Sequence, residues 1–144
     1  MARQVFVNLP VRNLAKTKQF FAQLGFTFNP QFTDEHGACM ILGNDSFAML
    51  LVEQFFKNFI PNKSICVAEK TTEALVAVTA DSRKHVDEMI EKAVAAGGRE
   101  YRKAEDHGWM YGRAFEDLDG HIWEIFCMDE HAMPEEMKKR KQPS

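Results

Sequence analysis

Phe115–Phe126, reading FEDLDGHIWEIF, concentrates the groups best suited to chemistry in this chain. Asp117 to Gly120 is dense in turn formers: Asp folds its carboxylate back onto local backbone, and Gly accepts the positive φ of a hairpin. The pattern predicts strand, tight turn, strand. The second strand carries Glu124 among Ile122, Trp123, Ile125 and Phe126. A carboxylate there must be paired, bound to a ligand, solvated in a cavity or turned to water on a half-exposed strand. Just upstream lies Asp106-His107-Gly108-Trp109-Met110-Tyr111-Gly112-Arg113. Strand alternation puts Tyr111, Arg113 and Phe115 on one face, and Ile122, Glu124 and Phe126 on one face across the hairpin. If Arg113 and Glu124 share a face, they make a polar patch on an apolar floor. Arg offers a planar fork to a carboxylate or phosphate, and Tyr offers a hydroxyl. Glu124 could then serve as a general base, with Arg113 or Tyr111 stabilising an oxyanion. The alternative is a structural Arg113–Glu124 ion pair across the strands.

The remaining titratable groups form no obvious set. His121 and Glu124 are three apart, so on a strand they point to opposite faces. His85 belongs to a helix face with Glu88, and His131 to the tail. A metal site built from His36, His107 and Glu124 is an alternative, because His is a common ligand. Cys39, Cys66 and Cys127 are too scattered for a disulfide framework or a zinc knuckle. Cys39 and Cys127 read as core residues, and Cys66 as exposed. A reduced, cytoplasmic setting is expected.

The elements that must position these groups form an internal repeat of strand, amphipathic helix and three-strand meander. In the first half, Val5–Val11 is a strand. Asn13 precedes a helix running to Leu24, and Phe26–Phe32, Ala38–Leu42 and Phe47–Val52 follow as strands. In the second half, Ala74–Ala80 is the strand and Ser82–Ala96 the helix, stopped by Gly97-Gly98. Glu100–Ala104, Trp109–Glu116 and His121–Met128 complete the meander. Turn signals such as Asp34-Glu35-His36-Gly37 and Asp106-His107-Gly108 separate the strands.

These paired modules, with the DxDGHxxE hairpin at Asp117–Glu124, resemble the vicinal oxygen chelate superfamily, over about residues 3–128. That group includes glyoxalase I, extradiol dioxygenases and bleomycin resistance proteins. The resemblance implies an α+β fold: two βαβββ modules whose eight strands form a curved mixed sheet, or cup, with the site inside. It divides a single domain at 1–128 into module one (about 3–52), a linker (53–72) and module two (about 73–128), before a polar tail at 129–144. In catalytic members, four strand positions converge on one divalent ion. By pattern those positions fall here on Phe6, Met49, Leu75 and Glu124. Phe and Leu offer no donor atom, and the Met thioether is too soft for the usual ions. The expected protein therefore binds a small organic molecule in an apolar cup without a metal. Phe6, Asn8, Met49 and Leu75, together with His107, Tyr111, Arg113 and Phe115, would be its binding residues, and Glu124 any catalytic group. The alternative is a lactoylglutathione-lyase-like or extradiol-dioxygenase-like enzyme, either metal-free or with an unorthodox Zn, Ni, Mn or Fe site.

Composition narrows the partners. The net charge of −3 over 144 residues creates no field for nucleic acid. No apolar run approaches a membrane span, and no apolar leader precedes the first strand, so neither membrane insertion nor a signal peptide is expected. The linker contains Phe55, Phe56, Phe59 and Ile60 and is too aromatic for a solvated segment. Packing on the domain, a dimer contact and a lid are all open to it. A homodimer is expected, since sheet edges are usually covered. The tail ends in Lys138-Lys139-Arg140-Lys141 and reads as solvated.

Overall fold

Each half of the chain folds as a strand and a helix followed by antiparallel strands, and each half makes its own sheet. The structure is a computed structural model describing residues 3–140; Lys141 of the basic run lies outside the described residues. The elements are β1 (Val5–Val11), α1 (Leu14–Gln23), β2 (Gly37–Ile41), β3 (Ser46–Val52), α2 (Glu53–Phe56), β4 (Leu75–Thr79), α3 (Arg83–Ala95), β5 (Arg99–Asp106), β6 (Met110–Glu116), β7 (Ile122–Met128) and α4 (Glu135–Lys138). One sheet has the order β1-β3-β2 and the other β4-β7-β6-β5. In both, the first strand of the module lies parallel to the last. The sheets are not hydrogen-bonded to each other, so the expected single curved sheet is two sheets that do not close.

The helices start where the caps predict. The Asn13 side chain accepts from the Lys16 backbone N–H at 3.0 Å, and Ser82 Oγ accepts from that of His85 at 3.1 Å. Phe20 and Phe21 of α1 and Val86, Ile90 and Ala93 of α3 then recur at helical spacing and are buried. The two modules share one core. Phe21 of module one meets Trp123 of module two edge-on at 5.0 Å, and Phe20 meets Phe115 at 6.0 Å. Trp123, Phe115, Phe20 and Phe21 are each at most 2% exposed. Removing the Trp123 or Phe21 side chain would cost about 3–5 kcal/mol in lost burial and cavity formation.

One predicted strand is absent. Phe26–Phe32 contributes only an isolated bridge from Phe28 to Met40 and then turns into a 3-10 helix at Pro30–Phe32. Pro30 has no N–H for a ladder, and Asn29 Oδ1 caps the turn by accepting from the Gln31 N–H. The described chain therefore has seven strands where the family pattern implied eight.

The linker is structured and lies on the domain. It forms α2 and a further 3-10 turn at Lys57–Phe59, and α2 packs on β1 and β3. Phe55 stacks on His36 at 5.0 Å and meets Phe59 at 5.3 Å. The tail holds a 3-10 turn at Glu130–Ala132 and α4. No helix among the described residues is long and apolar enough to cross a membrane.

Candidate functional site

Strand register decides which side chains can meet. On β7, Trp123 and Ile125 are fully buried beneath the helices, so Ile122, Glu124 and Phe126 turn to the helix-free face. Glu124 lies opposite Ala77 on β4 and Ala114 on β6. Arg113 lies opposite Ile125 and therefore takes the helix side. Arg113 and Glu124 are thus on opposite faces of one sheet, and the polar patch expected from them does not form.

The partner of Glu124 is Arg102. Its guanidinium reaches across the small Ala114 side chain to Glu124 Oε2 at 2.5 Å. Strict alternation would place Arg102 on the same face as Glu100, which lies opposite buried Phe115. A register shift between Glu100 and Arg102 sets the two opposite adjacent β6 residues, Phe115 and Ala114, and so turns them to opposite faces. Arg102 was missed because a bulge leaves no pattern in an alternating sequence.

Arg113 instead ties the sheet to α3. It donates Nε and Nη2 to both oxygens of Glu100, at 2.8 and 2.9 Å, and Nη1 to Asp87 at 2.7 Å. Tyr111 donates its hydroxyl to the same Asp87 oxygen at 2.6 Å. These bonds hold the Asp87 carboxyl below its usual range, Tyr111 contributing most and Arg113 next. Arg113 likewise lowers Glu100, and the Asp87 carboxylate raises the Tyr111 phenol. Phe115 is fully buried against Phe20 and Trp123. His107 sits exposed at the β5–β6 turn, 3.4 Å from Glu105. Tyr111, Arg113, Phe115 and His107 are therefore not lining a common pocket with Glu124, and the grouping expected from alternation is corrected.

Of the other expected residues, Phe6, Asn8 and Met49 share the helix-free face of the first sheet. Phe6 and Asn8 lie opposite Phe47 and Met49 of β3, with Leu9, Val11, Ala48 and Leu50 on the core side. Phe6 is exposed and stacks on Phe47 at 4.8 Å. Leu75, opposite Ile122, is exposed on the second sheet. At the four family ligand positions, then, Phe6 and Leu75 carry no donor, Met49 a thioether, and Glu124 a carboxylate already engaged by Arg102. Among the described residues, no group of three or more His, Cys, Asp or Glu is placed to hold a metal, and His36, His107 and Glu124 form none.

The Asp117–His121 turn is a clasp between modules. Asp117 is buried and accepts from the backbone N–H of Asp119 and His121 and from the Trp123 indole, at 2.9, 3.0 and 3.0 Å. Burial pushes its carboxyl up, against the pull of His121 and of these donors. Asp119 reaches module one, accepting from the Arg12 backbone N–H at 2.9 Å, from Arg12 Nε at 3.1 Å and from Thr17 Oγ1 at 3.3 Å. The Asp119 carboxylate in turn raises the Arg12 guanidinium. His121 Nε2 meets the Pro10 carbonyl at 2.7 Å. Gly120 has φ +90, and a Cβ there would lie 2.7 Å from the Glu69 backbone nitrogen. Only glycine fits beneath the linker at that point.

Beside this clasp lies a cavity of about 350 Å³. One wall is β1 at Val7–Pro10, another is Gly120–Ile122, and the outer wall is the linker with Phe56, Ile60 and Ile65. Asn8 is the one expected binding residue that lines it. Its volume falls in the range of small-molecule pockets, and its walls are mostly apolar. The aromatic composition of 53–60 was the only sequence signal for it. Residues 61–73 make no backbone hydrogen bond outside the linker among the described residues. Among the described residues, their one side-chain hydrogen bond to the rest is Glu69 with Arg12 Nη1 at 2.7 Å.

Comparison with known proteins agrees with this architecture. Residues 3–125 match the Glyoxalase/Bleomycin resistance protein/Dioxygenase superfamily. No curated protein matches the chain in sequence. A hypothetical protein, SA1046 from S. aureus, has a similar structure with TM-score 0.73 and 26% identity, over 88% of this chain and 95% of that one. A glyoxalase/bleomycin resistance protein/dioxygenase family enzyme from Burkholderia phytofirmans PsJN gives TM-score 0.72 at 16% identity, over 88% and 99%. A glyoxalase-related enzyme from Fulvimarina pelagi gives 0.70 at 21%, over 88% of each chain. With two sheets built on repeated modules and the family match spanning both, the chain belongs to the Glyoxalase/Bleomycin resistance protein/Dioxygenase superfamily.

Proposed function

We propose that this protein binds a small organic molecule in the cavity between β1, the Gly120–Ile122 turn and the linker, and does so without the divalent metal of catalytic superfamily members. The supporting observation is the cavity itself: about 350 Å³, its walls mostly apolar through Leu9, Phe56, Ile60, Ile65 and Ile122, with Asn8, Lys63, Ser64, Thr72, Glu73 and His121 as its polar side chains. The donor chemistry supports the metal-free part. Three family positions carry Phe6, Met49 and Leu75, and Glu124 is held by Arg102. A divalent ion shedding water needs several oxygen or nitrogen donors in their place. Glu124 acting as a base would first have to leave Arg102, so the metal-free enzyme is the second reading. The lyase or dioxygenase reading ranks third.

A thermal-shift screen of small aromatic and aliphatic compounds tests the binding. A ligand at a hundred times its Kd adds about 2.7 kcal/mol, or roughly 5–10 °C for a chain of this size. Ile60→Trp, which fills the cavity, should abolish the shift without unfolding the protein. If no compound shifts the midpoint, or if Ile60→Trp leaves the shift intact, this cavity is not the binding site. Elemental analysis of untagged protein tests the metal. Stoichiometric Zn, Ni, Mn or Fe bound by Glu124 would instead place a metal-dependent lyase or dioxygenase first.

The same reading includes a homodimer and a cytoplasmic setting. Phe59 of the linker is 64% exposed and is available to a second copy. Light scattering of a monomer at high micromolar concentration would refute the dimer. The three cysteines are all free, as a reducing compartment favours.

A further inference from the structure

We infer that the cavity selects an uncharged ligand whose apolar body carries one hydrogen-bond donor, a hydroxyl or N–H, and that His121 Nδ1 accepts it. The inference rests on the binding reading above and specifies its chemistry. Three observations carry it.

First, the mouth is electrically balanced. Lys63 and Glu73 both line the cavity, both are exposed, and neither is in an ion pair among the described residues. One cation and one anion at the rim favour neither an anionic nor a cationic ligand. The interior walls, Leu9, Phe56, Ile60, Ile65 and Ile122, are apolar. A charged ligand would lose its hydration against those walls, while Lys63 and Glu73 stay exposed in water, where their charges are screened.

Second, the tautomer of His121 is fixed. Its Nε2 lies 2.7 Å from the Pro10 carbonyl oxygen. A carbonyl only accepts, so in the neutral ring the proton sits on Nε2 and the lone pair on Nδ1. The backbone holds the residue from the other side, because the His121 N–H donates to buried Asp117 at 3.0 Å.

Third, Nδ1 has no hydrogen-bond partner among the described residues, although the His121 side chain is half-buried and lines both the cavity and the 70 Å³ recess beside it. The other polar groups nearby are engaged or peripheral. Cys66 Sγ bonds to Thr71 Oγ1 at 2.9 Å, Glu69 of the adjoining recess holds Arg12, and Asn8, Ser64 and Thr72 of the cavity wall are exposed. Among the described residues no buried side-chain nitrogen or oxygen lacks a partner, so Nδ1 is open to water, and a ligand donor in the cavity would take the place of that water.

The test uses indole and 1-methylindole, which differ by replacement of one N–H, together with indole-3-carboxylate. Affinities are measured by calorimetry at pH 8 on the full chain. Indole should bind roughly three- to tenfold more tightly than 1-methylindole, the range expected for one net hydrogen bond. The carboxylate should bind more weakly than indole. His121→Phe should remove the preference for indole. That variant also loses the bond to Pro10 and could fold poorly, so the wild-type protein labelled with ¹⁵N-histidine supplies an independent readout. Its His121 ring should show the Nε2–H tautomer, with an Nδ1 resonance that moves on adding indole and stays put with 1-methylindole. Equal binding of the two indoles, tighter binding of the carboxylate, or an Nδ1–H tautomer would overturn the inference while leaving the cavity a binding site. If no indole binds, and the library screen also fails, the binding reading falls and this inference with it.

Discussion

The Arg102–Glu124 pair is where the structure departs most from sequence pattern, and a double-mutant cycle measures it directly. Glu124→Gln, Arg102→Met and the double variant are compared with the parent by urea unfolding. The hydrogen bond joins two charged groups, which in a dry interior would be worth about 1.5–3 kcal/mol. Here the side chains are 34% and 26% exposed, so water screens the pair. Exposed pairs yield about 0.2–1 kcal/mol. The coupling should therefore fall near 0.5–1.5 kcal/mol, between the two regimes. It should shrink in high salt, because part of the pair is open to solvent. Glu124→Gln alone should cost less than the coupling suggests, because Glu105 stands 3.6 Å from Arg102 and can take the guanidinium. A parallel cycle between Glu124 and Arg113 should give no coupling, since the two occupy opposite faces. Coupling with Arg113 that equals or exceeds that with Arg102 would refute the register argument, and with it the bulge in β5.

Three further outcomes follow from the same structure. Asp119→Ala should destabilise the fold by about 2–3 kcal/mol, because it strands the buried Thr17 hydroxyl and the Arg12 backbone donor; a loss below 0.5 kcal/mol in urea would show the clasp to be dispensable. Arg12→Ala should instead release the linker, so that limited proteolysis near residues 61–73 accelerates severalfold, and unchanged cleavage would mean packing alone holds that segment. Asp87 and Glu100 are held below their ordinary values of 3.8 and 4.5, so their contribution is present above those values and lost as pH falls through the depressed folded ones. Arg113→Ala should therefore cost about 1–3 kcal/mol at pH 7, given that both acids are more than a third exposed. It should also flatten the decline of stability below about pH 4.5, as followed by denaturation across pH.

The sequence by itself determined the parts whose physics is local. Asn13 and Ser82 cap their helices with their own side chains, and the apolar residues of α1 and α3 recur at 3.6-residue spacing, so both helices were legible. The strand–helix–meander repeat and the Asp117–Gly120 turn were legible for the same reason. Pro30 also carried its message, since a residue without an N–H argued against the strand drawn through it.

What only the tertiary structure decided was which distant groups meet. The DxDGH turn stands out in sequence as if it were chemistry, yet Asp119 and His121 bind Arg12, Thr17 and Pro10, more than a hundred residues earlier. No periodicity records such a separation. The face of Arg102 depends on one extra residue in β5 opposite β6, and alternation can place a side chain only while the register is unbroken. The cavity exists because an irregular linker, anchored by Phe55 and Arg12, comes to rest over β1 and Gly120. A local pattern fixes the direction of a side chain relative to its own element; the neighbour it finds is set by how the elements pack, because that energy comes from burying the shared core of Phe20, Phe21, Phe115 and Trp123.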